Sequence, residues 1–556
     1  MNIIFLVSRI KWVTFIVLIL FCNTMQSQNN LLGDWEGTFM NDFRVILRLN
    51  SAEDNSYSGK LMMFSGSNMI QNDEISDIIL DGNNLKFFIK AKETQFIGSF
   101  NKVVTELSGN FIFPDASKHP LVVNKSKYVK PLAISSIKDF NDIRNKKYIT
   151  KELKADYGFL IDKLKEHHPQ MYSYSSEDSF DIMITNTNNN INSELTLEEY
   201  YKLIVPIVDN VKCSHTGMRL PNKYQQAINI YGNFLPIKLS IINNKAHYLS
   251  NYCNVDSEIL PGSEVLSINK LPIKDIITSL QKYIPSEGNN MTTKYNELDK
   301  NFNSYYYLLD NSEIFDVEYL ISGIEKKTIS LPACSFNDFV LKEKPDSNLP
   351  VEFKIDEEKS VAFLKIRSFA FPDIEGYIQQ MDDTFELLKN KSIQNLVIDL
   401  RDNKGGHPIF AAQLFSYLIE KDFIYFKPNP DVKEFEPLYK TMQNSEYSFK
   451  GKIYAFVNGG SLSTTGHLIS LMKYHTNATF IGEEPGSSFY CNDQSMQVVL
   501  PNTGIEVNIP QTTFETAISG FNKNETFPID YKVNNSLRDL LNGKDSYMEL
   551  FYRIIE

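Results

Sequence analysis

Between about residues 350 and 515, four short apolar runs, VAFLKI, NLVIDL, IYAFVN and ATFIG, alternate with segments of helical character. Runs this short are strand-length, and an apolar stretch without alternation reads as a strand buried on both faces. Strands separated by helix-length connections run parallel, with the helices crossing over the sheet. The order therefore predicts an α/β layer, with helices starting near Asp373, after Gly406 and after Ser463.

The other segments obey different rules, as expected of a chain whose 556 residues exceed what one core can hold. Residues 28–130 alternate apolar and polar positions over short runs broken by Asn, Asp and Gly, and predict an antiparallel β unit. Its opening GDWEGTF, with Trp35 placed to plug one end, resembles the start of small lipocalin-like barrels. Residues 149–230 turn helical; one helix begins at the capping box Thr196 to Glu199 and carries Leu197, Tyr200, Ile204, Ile207 and Val211 on one face. His167 and His168, beside Pro169, read as a helix end and exposed turn rather than a metal site. Residues 232–345 return to short strands, and Pro261 to Ile277 has the glycine turn, strand and helix start of PDZ-like modules. The chain is thus expected to be a multidomain α+β protein.

The first 27 residues read as a signal peptide: Arg9 and Lys11 precede an apolar run of about 10 residues, far short of the roughly 20 that span a bilayer. Cleavage is expected near Ser27, and bulky Phe21 before Cys22 does not suit lipidation. The mature chain is expected to be exported, periplasmic or secreted. A formal charge of −12 lacks the positive surface that nucleic acid requires. Cys213, Cys253, Cys334 and Cys491 fit no zinc spacing; one or two disulfides are compatible with them, and the pairing is open.

Chemistry concentrates at two glycine turns. In IYAFVNGGSLSTTGHLIS a strand ends at Asn458, Gly459 and Gly460 permit a tight bend, and a helix begins near Thr464. Such a turn can expose one serine hydroxyl while backbone N–H groups converge at the helix start. Ser461 or Ser463 could equally be an ordinary helix cap. The second turn, in NLVIDLRDNKGGHPIF, puts Gly405 and Gly406 at another strand end, where an N–H could face a developing oxyanion. Asp399 with Arg401 could be a structural ion pair.

The motifs IDLRDNKGG, VNGGSLSTTG and FIGEEPGSS, in that order, resemble the core of the C-terminal-processing (tail-specific) serine peptidases. The resemblance spans about residues 150–540 and implies a ClpP/crotonase-like peptidase core over 350–540. It implies Ser463 as nucleophile, with the N–H of Thr464 and one from Gly405 or Gly406 on the oxyanion. The lysine of that family's lysine-using branch has no counterpart, since Ser488 stands in its stretch. A serine needs a base, and imidazole is the usual supplier near neutral pH. CSHTG is similar to the Ser-His pair of the tricorn-like branch, which implies His215 as general base and Ser214 as its orienter. That branch's tetrad glutamate maps first to Glu525, then to Glu484; Glu483 reads as structural. Ser461 is the alternative nucleophile, and His407 and His467 stand near enough to take the base role. No metal or organic cofactor is implied, and the expected partner is a peptide or unfolded protein. A non-catalytic binding protein and an esterase-type acyl hydrolase are the competing readings.

Overall fold

The structure, a computed structural model, describes residues 33–39, 43–51, 56–65, 68–101, 106–114, 117–125, 136–242, 244–253, 255, 257–321, 323–336, 349–429, 432–433, 435–520 and 525–556. The expected signal peptide lies outside the described residues. The chain divides into two compact units, 1–131 and 132–556.

In the first unit, eight strands, β1 (Gly33–Phe39), β2 (Phe43–Ser51), β3 (Tyr57–Ser65), β4 (Asn68–Asp81), β5 (Asn84–Ile89), β6 (Thr94–Phe100), β7 (Glu106–Ile112) and β8 (Lys118–Lys125), close into an antiparallel barrel. Each pairs with its successor and β1 with β8, so no edge is left open. Period-two alternation sends one side of each strand inward. Trp35 is fully buried with its ring 4.7 Å from Phe100, and Phe87 stacks on Phe96 at 4.9 Å. The antiparallel β unit expected of residues 28–130 is this barrel.

The second unit opens with a helix over Ile137–Arg144, followed by three longer ones, α1 (Thr150–His167), α2 (Glu177–Asn190) and α3 (Leu197–Asn210). Helix α3 starts on the capping box: the Thr196 hydroxyl accepts the Glu199 N–H, and the Glu199 carboxylate accepts the Thr196 N–H. Its apolar face, including Leu197, Tyr200, Ile204 and Ile207, is buried. Beyond α3 the chain turns at Cys213 to Thr216, which carries Ser214 and His215.

An antiparallel sheet follows, with order β9 (Ile237–Ile242), β10 (Lys245–Asn251), β11 (Glu264–Ile268), β12 (Ile314–Ile321) and β13 (Glu325–Pro332). Helices α4 (Ile273–Leu280) and α5 (Met291–Tyr306) pack their apolar residues into the core of this module. A disulfide joins Cys253 to Cys334 across 81 residues; Cys213 and Cys491 are free and buried. Closing a loop of that length in the unfolded chain is worth about 4 kcal/mol. The paired variant Cys253→Ser with Cys334→Ser should therefore melt several degrees below the parent chain in calorimetry, and reductant should lower the parent alone.

The last layer is a six-stranded sheet in the order β14 (Val351–Asp356), β15 (Val361–Ile366), β16 (Asn395–Asp399), β17 (Lys452–Val457), β18 (Thr479–Gly482) and β21 (Tyr531–Lys532), parallel from β15 onward. Helices α6 (Ile374–Asn390), α7 (Pro408–Ser416) and α8 (Thr464–His475) make the crossovers. Between β18 and β21 a hairpin-like pair, β19 (Tyr490–Asp493) with β20 (Thr512–Glu515), is inserted. Helix α9 (Ser546–Ile555) closes the chain. Arg401 bonds Asp399 at 2.6 Å and Asp545 at 2.8 Å, so the expected Asp399–Arg401 pair also anchors the start of α9. The carboxyl ends of β16 and β17 lie side by side, and both glycine turns leave from there.

Candidate active site

Strand β17 runs into Asn458, and the turn that follows is built from its own polar groups. The Asn458 Oδ1 accepts the N–H groups of Gly460 and Asp402 at 3.0 Å, tying the two glycine turns together. Leu462 N–H donates to Asn403 O at 3.0 Å across the same gap. Ser461 is fully buried and its hydroxyl donates to Leu400 O at 2.9 Å, so Ser461 holds the turn and is not free to attack. Ser463 occupies the cap position of α8 at φ 55°, ψ −127°, a backbone state rare for a residue with a side chain. Its hydroxyl makes no cap bond. The turn thus turns the Ser463 side chain away from the helix it begins.

What the hydroxyl meets is His215. Ser463 Oγ lies 3.1 Å from His215 Nε2, and His215 Nδ1 lies 3.2 Å from Ser214 Oγ. Ser214 donates both its N–H and its hydroxyl to Glu287 Oε2, each at 3.3 Å. Glu287 reaches this point because Gly288 N–H donates to Lys212 O at 2.9 Å, docking the loop before α5 onto the His215 turn. That loop is pinned from the other side: Asn290 Nδ2 donates to Pro485 O at 2.8 Å, and Thr293 Oγ1 to Gly459 O at 3.0 Å. Burial pushes the Glu287 carboxyl up, against the stabilising Ser214 N–H and His215. A second carboxylate, half-exposed Asp493 on β19, stands 3.7 Å from His215 Nε2.

Neither glutamate expected in the tetrad makes this bond. Glu525 is exposed and lies on a cavity that Glu287 also lines; the carboxylate bonded to Ser214 is that of Glu287. Glu484 lies on the same cavity and likewise makes no bond to Ser214 or His215 among the described hydrogen bonds. Glu287 and Asp493 escape sequence reasoning because neither carries a local mark. Glu287 sits in an ordinary SEGNN turn, and its bond to Ser214 spans 73 residues.

The two glycines of the other turn differ in their bonding. Gly405 N–H donates to Asn403 Oδ1 at 2.9 Å and is spent there. Gly406, at φ 139°, is exposed, and its carbonyl accepts the Thr464 hydroxyl at 2.5 Å. This bond holds the Gly406 peptide beside the first turn of α8, where the Thr464 N–H has no intrahelical acceptor. Gly405, at φ 92°, packs directly against Ser463.

Of the other histidines, His407 caps α7 through Nδ1, which accepts the Ile409 N–H at 3.2 Å. His467, one turn beyond Ser463, is buried edge-on against Phe426 at 5.0 Å, and neither ring nitrogen has a hydrogen-bond partner. Burial lowers its pKa to about 3, so it stays neutral. His168 is not on an exposed turn as its sequence context suggested: it is buried, Nε2 lies 2.9 Å from Thr216 Oγ1, and burial lowers its pKa to about 4. Both values lie below the ordinary 6.5, so the unfolded chain binds these protons first. Stability is therefore full above about pH 6.5 and falls as pH drops toward 4, by roughly 3 kcal/mol per histidine. His467→Phe should lose less melting temperature between pH 7 and pH 4 than the parent chain. Equal losses in the two would contradict the assignment. Cys491 lies against Ser463, and burial pushes its thiol well up; Cys213 is raised to about 12. Both stay protonated at neutral pH and are packing groups.

Residues 360–526 match the family model of Peptidase family S41. No curated protein matches the chain at a significant level. Among solved structures, mature CPAF is similar with a TM-score of 0.52 at 11% identity, covering 73% of this chain and 96% of that one. Mature CPAF complexed with lactacystin gives 0.51 at 12% identity, over 73% and 98%. The photosystem II D1 C-terminal processing protease gives 0.35 at 11% identity, over 69% and 93%. At these identities the CPAF likeness speaks to the fold. The match to Peptidase family S41, over the segment that holds both glycine turns and Ser463, makes the chain a serine-type peptidase.

Proposed function

We propose that the protein is an exported endopeptidase that cleaves peptides and unfolded protein segments through a Ser463 acyl-enzyme, with His215 as general base. The observation that carries this reading is the 3.1 Å contact between Ser463 Oγ and His215 Nε2. His215 Nε2 takes the hydroxyl proton as Oγ attacks the peptide carbonyl, and the N–H groups of Gly406 and Thr464 hold the oxyanion. Collapse of the tetrahedral intermediate breaks the C–N bond, and His215 returns its proton to the departing amine. Water then attacks the acyl-enzyme by the same route and releases the new carboxylate.

Ser214 and Glu287 act as positioning residues. Glu287 holds Ser214, and Ser214 fixes the imidazole ring through Nδ1, which is the role Glu525 was expected to fill. We read the β9–β13 module as PDZ-like, with an extended substrate segment adding to a sheet edge through main-chain bonds. Export is supported by the apolar run near the N-terminus and by the Cys253–Cys334 disulfide, which suits an oxidising compartment. Among the described residues no helix is long and apolar enough to cross a membrane.

Fluorophosphonate labelling of the purified chain, with peptide mapping, tests the reading. The adduct is expected on Ser463 and should disappear in Ser463→Ala and fall to trace in His215→Ala. A folded parent chain that takes no label, or an adduct on Ser461, would overturn it.

A further inference from the structure

The sequence sets two histidines before a proline, His167–His168–Pro169, and the proposed reaction uses neither. His168 caps the C-terminal end of α1, its N–H donating to Leu164 O at 3.0 Å, and Pro169 stops the helix from running on. The His168 side chain is buried, and both ring nitrogens are engaged. The Gln170 N–H donates to Nδ1 at 3.2 Å, so Nδ1 is the acceptor and the ring proton sits on Nε2. Nε2 therefore donates to Thr216 Oγ1, 2.9 Å away, and Thr216 is the residue directly after His215.

The run of donors continues past Thr216. Having accepted from His168, its hydroxyl has its own proton to give, and it bonds the buried Cys213 sulfur, which also takes the His215 N–H and, at 3.7 Å, the Asn492 Nδ2. Asn492 Oδ1 accepts the Thr513 hydroxyl at 2.6 Å, and the neighbour of Asn492 on β19, Cys491, lies against Ser463. One directed series of bonds thus leads from the end of α1 through the His215 turn to the strand beside Ser463. The turn needs such outside support, because Lys212 enters it at φ 54°, a backbone state rare for a residue with a side chain. Before His215 the support is the Ser214 hydroxyl held by Glu287; after it, the Thr216 hydroxyl held by His168.

We propose that His168 is a further positioning residue for the reaction: through Thr216 it fixes the far side of the turn that carries His215, and with it the approach of His215 Nε2 to Ser463 Oγ. Its ring bonds run to Gln170 and Thr216, so it acts on the reaction only through the turn. The proposal rests on the reading of His215 as general base. A base shifted by a fraction of an ångström leaves the substrate site intact and meets the Ser463 proton in poorer alignment, so the loss belongs to kcat and not to KM.

Peptidase kinetics on folded variants of the full chain, with fluorophosphonate labelling of Ser463 alongside, test this. His168→Phe keeps a ring and removes both bonds, and Thr216→Val keeps the shape and removes the hydroxyl. Each is expected to lower kcat by about 10- to 100-fold, with KM within about twofold of the parent and labelling slowed in step. The variant carrying both should be no slower than the slower single one, since the two substitutions break the same bond. Thr216→Ser returns the hydroxyl and should bring kcat back to within about threefold of the parent. In a His215→Ala chain, His168→Phe should change the remaining rate by less than about twofold, because the turn has no base left to place. The proposal is overturned if Thr216→Val keeps more than about half the parent kcat, if the two single losses multiply in the double variant, or if His168→Phe slows the His215→Ala chain as much as it slows the parent. Should His168→Phe fail to fold, Thr216→Val and Thr216→Ser decide the matter with the imidazole in place. A His215→Ala chain as fast as the parent would instead sink the reading of the base, and the positioning role with it; a slow His215→Ala beside a fast Thr216→Val sinks the positioning role alone.

Discussion

Ser463→Ala, His215→Ala and the variant carrying both should each turn over a peptide substrate on the order of 10⁶-fold more slowly than the parent chain, and the double variant should be no slower than either single one. The reason is the geometry of one shared proton. With Oγ and Nε2 3.1 Å apart, removing either partner removes the whole transfer, so the second substitution has nothing left to take away. A residual rate above the uncatalysed reaction, about 10³-fold, should persist in all three, because the N–H groups of Gly406 and Thr464, proposed above to hold the oxyanion, are left unchanged. Single-turnover measurements on folded variants check this. A His215→Ala loss below tenfold would mean that another group takes the Ser463 proton.

Gly405→Ala carries the second large effect. A methyl group there would stand 2.8 Å from Ser463 Cβ, 2.9 Å from Leu462 O and 3.0 Å from Thr464 N, at a φ of +92° that alanine resists. All three contacts belong to the Ser463 turn, so the substitution moves the proposed attacking oxygen and the proposed Thr464 oxyanion donor together. A fall in kcat of about 10²- to 10³-fold is expected, the scale of losing one oxyanion contact, with KM changed far less. Fluorophosphonate labelling should slow in parallel. A variant that keeps more than a third of the parent rate would show that the nucleophile does not depend on this packing. Gly406→Ala should behave similarly for a different reason, since its methyl group would meet Phe369 O at 2.4 Å.

The parts of this site that were legible in the sequence are those set by local rules. Asp373 caps α6 through its side chain, and α8 begins at Thr464, because a capping residue or a glycine bend specifies a helix start within a few positions. The four apolar runs became the four parallel strands β15 to β18 because strand-length apolar segments joined by helices have few other ways to bury themselves. The barrel followed from two-residue alternation in the same manner. What stayed hidden depends on side chains brought together from afar. Glu287 rather than Glu525 supports Ser214 because one backbone bond, from Gly288 to Lys212, docks its loop on the His215 turn. That the Gly405 N–H is already bonded within its own turn depends on Asn403 folding back onto it. His168 looked exposed beside its proline, and its burial is decided by Thr216, 48 residues away.

The residues that meet at Ser463 lie far apart along the chain: His215 is 248 positions before it, and Glu287 belongs to a third stretch, the loop entering α5. A growing polypeptide therefore receives Ser463 after the other two, and the three meet only when the helical segment, the antiparallel module and the parallel sheet have docked. If Ser463 and His215 act as proposed, cutting power waits on completion of the fold, which then serves as its own safety catch.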